Sequence, residues 1–155
     1  MIIREMKWDD IPPLVDLGAR MHAESPDLAA FPYAPEAATQ FLSHIVDAPT
    51  QLCLVAEKAP GEIVGFFYGM VTQHYFSKEL YAIDFALYVC REVRHTPAGG
   101  RAAVALLKRY VAWARDHGAA EIQLGITTGI HPERTGRFYQ RMGFRPAGTL
   151  YTMKG

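Results

Sequence analysis

The stretch "HTPAGGRAAVALLKRYVAWARDHG", residues 95–118, joins a glycine pair to a regular helical pattern. From Ala103 onward, apolar side chains recur at i, i+3, i+4, i+7, i+8 and i+11, which predicts an amphipathic helix. Glycine destabilises a helix interior, so Gly99 and Gly100 at the entrance indicate a turn or a close backbone approach. An anion held by the helix N-terminal amides is one interpretation, and a plain strand-to-helix connection is the other.

Apolar runs rich in aromatic and β-branched residues lie on both sides of this helix and predict strands. Upstream, residues 51–71 contain two such runs around the turn signal Pro60-Gly61, which predicts a β-hairpin. A third run occupies residues 80–90. Downstream, residues 120–127 form another predicted strand, which should be parallel to the third because a whole helix separates them.

The two ends of the chain add helices and strands to the same domain. The predicted order is β-α-α-β-β-β-α-β-α-β, an α/β fold with a mixed sheet and helices packed on it. We predict a single domain over residues 1–155. The added elements are a strand at 1–6, a helix at 8–25, a helix from Pro35, a helix at 132–142 that stops at Gly143, and a closing strand at 144–154.

The charge balance excludes some classes of protein. Lys plus Arg and Asp plus Glu number 16 each, so the overall charge gives no reason to bind nucleic acid. The N-terminal residues lack the charged head and apolar run of a signal peptide, and no apolar stretch reaches the roughly 18 residues of a membrane span. We therefore expect a cytoplasmic protein with no nucleic-acid and no membrane partner.

The cysteines and histidines show no pattern of a metal site. Cys53 and Cys90 lie in predicted strands, which favours buried free thiols in a reducing compartment over a disulfide. The six histidines lack the paired spacing of metal ligands on a helix or hairpin, so we predict no metal.

Three segments occur in an order and at spacings that carry more information than each alone. They are "LVAEKAPGEIVGFFYG" (54–69), "LYVCREVRHTPAGGRAAVALL" (87–107) and "RFYQRMGFRPAG" (137–148). Together they resemble the GCN5-related N-acetyltransferase (GNAT) superfamily over about residues 50–151. The resemblance implies that family's mostly antiparallel mixed sheet flanked by helices. It also implies an acetyl-CoA-dependent N-acetyltransferase, in which a primary amine of a small molecule or peptide attacks the thioester directly.

The resemblance places coenzyme A at the glycine loop and between two splayed strands, 81–89 and 121–127. The pyrophosphate is expected at the helix N-terminal amides and the pantetheine arm between the strands, although an ordinary parallel pair is the alternative. The loop departs from the family pattern by an insertion of about four residues, Arg94 to Pro97, and Pro132 stands where the family often has Asn. The residues implied to bind the cofactor are Tyr88, Val89, Arg91, Arg94, Gly99, Gly100, Arg101, Ala102, Ala103 and Phe138.

Two residues are expected to move protons. The resemblance assigns the family's general-acid tyrosine to Tyr139. A phenol, with a pKa of about 10, can hydrogen-bond or protonate a departing thiolate, whose thiol has a pKa of about 8.5. A packed helix tyrosine with a hydrogen-bonded hydroxyl is the alternative. Asp84 is the only acid in its strand, and we predict that it takes the amine proton directly or through water.

Aromatic residues mark the expected acceptor site, formed by the first two helices with residues 25–33 and 72–81. This composition favours a small amine, or a residue side chain with an apolar body, over a strongly anionic acceptor. Two other hypotheses stay open: a catalytically weak or inactive GNAT-fold binding or assembly module, and transfer of a different acyl group. Homodimers are common in the family, so a homodimer is open as well.

Overall fold

Five strands and five helices make up the fold in the computed structural model, which describes residues 1–153. Two 3₁₀ turns, Trp8–Asp10 and Leu28–Ala30, flank the first helix. The strands are β1 (Ile2–Glu5), β2 (Gln51–Ala59), β3 (Glu62–Gln73), β4 (Leu80–Val89) and β5 (Ala119–Gln123). The helices are α1 (Ile11–Glu24), α2 (Pro35–Val46), α3 (Arg91–Arg94), α4 (Pro97–Asp116) and α5 (Pro132–Arg141).

The strands form one sheet in the order β1-β2-β3-β4-β5. The first four strands pair antiparallel, and β4 pairs parallel with β5. The predicted mixed, mostly antiparallel sheet is therefore confirmed. The predicted hairpin turn is also present, with Gly61 at a φ of +78°, a conformation that glycine adopts without steric cost.

Helix α4 packs on the sheet through the apolar face that its periodicity predicts. Leu106, Leu107 and Tyr110 are fully buried. The Tyr110 ring stacks on Phe67 with ring centroids 4.2 Å apart, and its hydroxyl donates to a main-chain oxygen of β4 at 2.7 Å. Gly69 makes this contact possible, because a Cβ at that position would lie 2.4 Å from the Tyr110 ring.

The sequence prediction of a closing strand at residues 144–154 is wrong over the described residues, since 144–153 form no strand. Pro146 has no N–H to donate to a strand partner. Leu150, Tyr151 and Met153 are largely exposed, so this segment buries too little apolar surface to offset the entropy cost of ordering it. Lys154, the last residue of the predicted strand, lies outside the described residues.

Strands β4 and β5 separate beyond a short region of pairing. Their ladder ends at the pair Ile83 and Gln123. On its other side, β4 contains one extra residue, Phe85, between the positions that pair with Tyr68 and Gly69. A bulge of this kind bends and twists its strand, so the carboxyl half of β4 diverges from the segment that follows β5.

None of the helices in residues 1–153 combines the length and the apolar character required to cross a membrane.

Candidate active site

The diverging strands open into a cleft of about 840 Å³ between α4 and α5. Its floor consists of Leu87, Tyr88 and Val89 from β4 and residues 125–128 after β5. One wall is the first three turns of α4, from Pro97 to Lys108. The opposite wall is the face of α5 that carries Arg134, Phe138 and Arg141.

Two hydrogen bonds from the segment after β5 hold the floor of the cleft open beyond the last strand pair. The Gly125 N–H donates to Asp84 Oδ1 at 2.7 Å. The Thr127 hydroxyl donates to the Phe85 carbonyl oxygen at 3.2 Å. A side chain thus replaces the main-chain ladder at Asp84, and the two backbones stay separated there.

Tyr139 projects from α5 into the base of the cleft and is 7% exposed. Its hydroxyl donates to the Gly125 carbonyl oxygen over 3.5 Å, a long contact that leaves the proton available to a better acceptor. Burial raises the pKa of Tyr139, and the negative charge of Asp84 raises it further. The phenol is therefore neutral and a donor at neutral pH.

Asp84 lies beneath the same point of the cleft. Burial raises its pKa to about 6, and the hydrogen bond from the Gly125 amide opposes that shift. Its Oδ1 accepts from Gly125, while its Oδ2 is buried and has no hydrogen-bond partner among the described residues. A buried carboxylate oxygen without a partner is costly, and such groups cluster at functional sites.

Positive charge is concentrated on the cleft although the chain is neutral overall. Arg94, Arg101, Lys108, Arg134 and Arg141 line it. No Asp or Glu is among the described residues that line the cleft. With 16 cationic and 16 acidic residues in the chain, this distribution favours an anionic ligand.

A comparison with known protein families identifies the family to which the chain belongs. The profile of the acetyltransferase (GNAT) family matches residues 19–144, which include every residue that lines the cleft. The chain belongs to the GNAT family. Among curated proteins, none matches the chain significantly.

Solved structures show the same GNAT fold at low sequence identity. A transcriptional regulator from Bacillus halodurans C-125 is 20% identical, with a TM-score of 0.75 over 99% of each chain. A Trypanosoma brucei acetyltransferase is 16% identical, with a TM-score of 0.73 over 99% of this chain and 98% of that one. An aminoglycoside acetyltransferase from an uncultured soil metagenomic sample is 16% identical, with a TM-score of 0.70 over 99% and 97%.

In this GNAT chain, the N-terminus of α4 offers few amides to a ligand. Pro97 has no N–H. The Gly99 N–H donates to the Thr96 hydroxyl at 3.2 Å, and the Gly100 N–H donates to the Thr96 carbonyl oxygen at 3.1 Å. The Ala98 N–H is the one amide of this turn without a partner among the described residues. The helix end is thus largely capped by its own chain.

The glycine pair at this helix entrance has two separate structural reasons. A Cβ at Gly99 would lie 2.1 Å from the Val93 carbonyl oxygen, so Gly99 allows α4 to pack against α3. A Cβ at Gly100 would meet nothing within 4 Å, and Gly100 lines the cleft. The close approach at Gly99 is therefore made to the protein's own backbone.

Arg94 is engaged by neighbouring protein groups. Its Nη2 donates to Glu24 Oε2 at 2.7 Å, and its Nε donates to the Val89 carbonyl oxygen at 2.9 Å. The guanidinium also lies over the Tyr88 ring, whose hydroxyl donates to Glu24 Oε1 at 2.5 Å. Burial alone would raise the pKa of Glu24, but these hydrogen bonds from Tyr88 and Arg94 lower it. This cluster fixes the end of β4 against α1.

Most of the predicted cofactor-binding residues lie together in the cleft. Arg91 does not line it; it is exposed on α3. Ala102 is buried under α4 and is also absent from the cleft surface. Those that line it are Tyr88, Val89, Arg94, Gly99, Gly100, Arg101, Ala103 and Phe138, together with Tyr139.

The sequence reasoning missed the cations that face the cleft from the middle of α4 and from α5. Lys108 is seven residues after Arg101, and Arg134 is four residues before Phe138. Both spacings return to the same helix face, so each could have been found from a neighbour that was identified.

Outside the cleft, the cysteines are in the predicted state. Cys53 and Cys90 are free and buried. Burial raises the pKa of the Cys53 thiol, with a further contribution from Asp10. Among residues 1–153, no group of three or more His, Cys, Asp or Glu side chains has a metal-binding arrangement.

Proposed function

We propose that this GNAT chain is an acetyl-CoA-dependent N-acetyltransferase that acetylates a primary amine. The observation that carries the proposal is the cleft itself, with its cationic rim, its apolar floor and Tyr139 at its base. Acetyl-CoA would supply an activated acetyl thioester. Its negative charges match the cationic rim, and its amide-containing arm matches the backbone edge of β4 that β5 leaves uncovered.

Tyr139 is proposed as the general acid. In the transfer, the amine nitrogen forms a bond to the acetyl carbon, the carbon–sulfur bond breaks, and the sulfur takes a proton. Because burial raises the pKa of Tyr139, its hydroxyl stays protonated and can donate a hydrogen bond to the sulfur as negative charge develops there. A thiolate is a better acceptor than the distant Gly125 oxygen, which is 3.5 Å away.

Asp84 is proposed as the base that accepts the amine proton, directly or through a water molecule. With a pKa of about 6, its carboxylate is mainly ionised at pH 7 and is a stronger base than an ordinary Asp. Its unpartnered Oδ2 has a free lone pair for that proton. Gly125, which bonds both Asp84 and Tyr139, joins the base beneath the cleft to the acid at its surface.

One observation favours a second candidate, a non-catalytic binding or assembly module on the same fold. The first turn of α4 is capped by Thr96, so the usual anion-binding amides of a helix N-terminus are mostly occupied. A structural relative at 20% identity carries the name of a transcriptional regulator. A module of this kind would not require tight acetyl-CoA binding.

Calorimetric titration separates the two candidates. We expect acetyl-CoA to bind with micromolar affinity, and acetyl-pantetheine, which lacks the nucleotide phosphates, to bind much more weakly. A panel of small amines and lysine peptides should then release free coenzyme A thiol in a colorimetric assay. No heat with millimolar acetyl-CoA would contradict the enzyme proposal and support the binding module.

A further inference from the structure

An arginine–histidine contact joins α5 to the connection that precedes α4. Arg134 Nη1 on α5 donates to His95 Nδ1 in the connection between α3 and α4, at 3.0 Å. An arginine guanidinium has only donors, so His95 Nδ1 is the acceptor in this contact. The ring of His131 lies with its centroid 6.1 Å from that of His95. Three side chains from two separate elements thus meet beside the capped end of α4.

The charge of Arg134 is not balanced by a carboxylate. Its partner in this contact is a histidine ring nitrogen, and Arg134 forms no ion pair within residues 1–153. Two other arginines show the contrast: Arg137 on the same helix is 3.8 Å from Glu133, and Arg94 pairs with Glu24. Arg101, which lines the cleft on α4, also has no ion pair among the described residues.

The backbone immediately before α5 is held in an uncommon conformation. His131 precedes α5 with φ of +49° and ψ of +57°, the left-handed region that non-glycine residues seldom occupy. Of the described residues other than glycine, it has the one positive φ. Such conformations persist where surrounding structure enforces them, and they cluster at ligand sites. Here it sets the direction of the first turn of α5, which carries Arg134.

We infer that the guanidinium groups of Arg101 and Arg134, and not the amides of α4, hold the phosphates of the cofactor in this chain. His95 acts as a positioning residue that orients Arg134. The inference rests on the proposed function. It assigns side chains to the part of the cleft that would bind the phosphates. Arginine presents several donors in a fixed planar arrangement, which allows paired hydrogen bonds to phosphate oxygens.

Replacing Arg134 tests the inference. Arg134→Gln should weaken acetyl-CoA binding by about tenfold or more, because a charge-assisted contact is lost. The same variant should bind acetyl-pantetheine as the wild type does, since that ligand has no phosphate. Arg137→Gln is the matched control, because it removes the same charge from the same helix outside the cleft, and it should bind both ligands normally.

Ala98→Pro tests the opposite assignment, because it removes the one unpartnered amide in the first turn of α4. Proline is tolerated in a first helical turn, as Pro12 and Pro13 show in α1. We expect the dissociation constant for acetyl-CoA to change by less than about threefold, with an unchanged helical circular dichroism spectrum. A tenfold loss in Ala98→Pro beside normal binding in Arg134→Gln would overturn the inference.

The positioning role of His95 has its own signature. His95→Ala should weaken acetyl-CoA binding several-fold and leave acetyl-pantetheine binding unchanged. His95→Gln should recover most of the lost affinity, because its side-chain oxygen can accept from Arg134 as Nδ1 does. Equal losses in both His95 variants contradict the positioning role.

The outcome also separates this inference from the function on which it rests. If the wild type does not bind acetyl-CoA, both fail. If the wild type binds acetyl-CoA with micromolar affinity and Arg134→Gln binds equally well, the proposed function stands and the side-chain phosphate site is wrong.

Discussion

At the scale of single residues, Gly125 joins the two groups proposed to move protons. Its N–H donates to Asp84 and its carbonyl oxygen accepts from Tyr139. The sequence identified Asp84 and Tyr139, one from its isolated charge in a strand and one from the family resemblance. It did not identify their link, because Asp84 and Gly125 lie 41 residues apart and meet only where the strands diverge.

Removing the hydroxyl of Tyr139 should separate chemistry from binding. We expect Tyr139→Phe to lower kcat by about 10²–10⁴-fold, the usual contribution of a general acid. The dissociation constant for acetyl-CoA should stay within about twofold, since the hydroxyl acts on the sulfur only as the bond breaks. Steady-state kinetics with calorimetry measure both. Tyr151→Phe, an exposed tyrosine outside the cleft, is the control, and an unchanged kcat in Tyr139→Phe would remove the assignment.

The buried carboxyl group of Asp84 should lower the free energy of unfolding by an amount that depends on pH. Its pKa rises from 3.8 to about 6 on folding, so the folded state binds the proton more tightly than the unfolded chain. Stability is therefore lost as pH rises through 4 to 6, and the loss is complete above pH 6. We expect Asp84→Asn to raise the free energy of unfolding by about 1–3 kcal/mol at pH 7 and to have little effect at pH 4.

Urea denaturation at the two pH values measures this difference. The same substitution should lower kcat, because the asparagine amide cannot accept the amine proton. An Asp84→Asn effect on stability that is equal at pH 4 and pH 7 would show that the carboxyl is not buried as described.

At the scale of elements, regular periodicity was predictable from the sequence and short or isolated features were not. The apolar repeat of α4 and the hairpin turn at Gly61 appear as predicted. The four residues of α3 are too few to carry a periodic signal, and the insertion inferred around Arg94 to Pro97 begins where that turn ends. The segment 144–153 has strand-like composition but remains unpaired and exposed, which composition alone does not indicate.

The two glycines at the start of α4 should respond to alanine in opposite directions. Gly99→Ala places a Cβ 2.1 Å from the Val93 carbonyl oxygen, so we expect a loss of about 2–4 kcal/mol or displacement of α3. Gly100→Ala meets nothing within 4 Å and should stabilise the helix by about 0.5–1 kcal/mol. Thermal and urea unfolding measure both changes. Similar effects of the two substitutions would contradict the packing of α3 on α4.

At the scale of the whole molecule, a neutral chain segregates its charge. Acidic residues that do not line the cleft form ion pairs with arginines: Asp10 and Glu57 bind Arg4, and Glu24 binds Arg94, which lines the cleft. Hydrogen bonds from Arg4 lower the pKa of Asp10 in spite of its burial. Four cations that form no ion pair among the described residues, Arg101, Lys108, Arg134 and Arg141, line the cleft. Net charge read from the sequence could not show this, because the separation depends on which helix faces line the opening.

This distribution of charge predicts that the affinity for acetyl-CoA depends strongly on salt concentration and that the affinity for acetyl-pantetheine depends on it weakly. Raising ionic strength from about 0.05 M to about 0.5 M shortens the Debye length severalfold and screens the exposed cations at the cleft rim. We expect the affinity for acetyl-CoA to fall by about five- to tenfold, whereas that for acetyl-pantetheine should change by less than about twofold. Calorimetry at both ionic strengths measures the ratio. Arg134→Gln should reduce the salt dependence and Arg137→Gln should not, because of these two arginines only Arg134 lines the cleft. Equal salt dependence for the two ligands would mean that the cations of the cleft do not act on the phosphates.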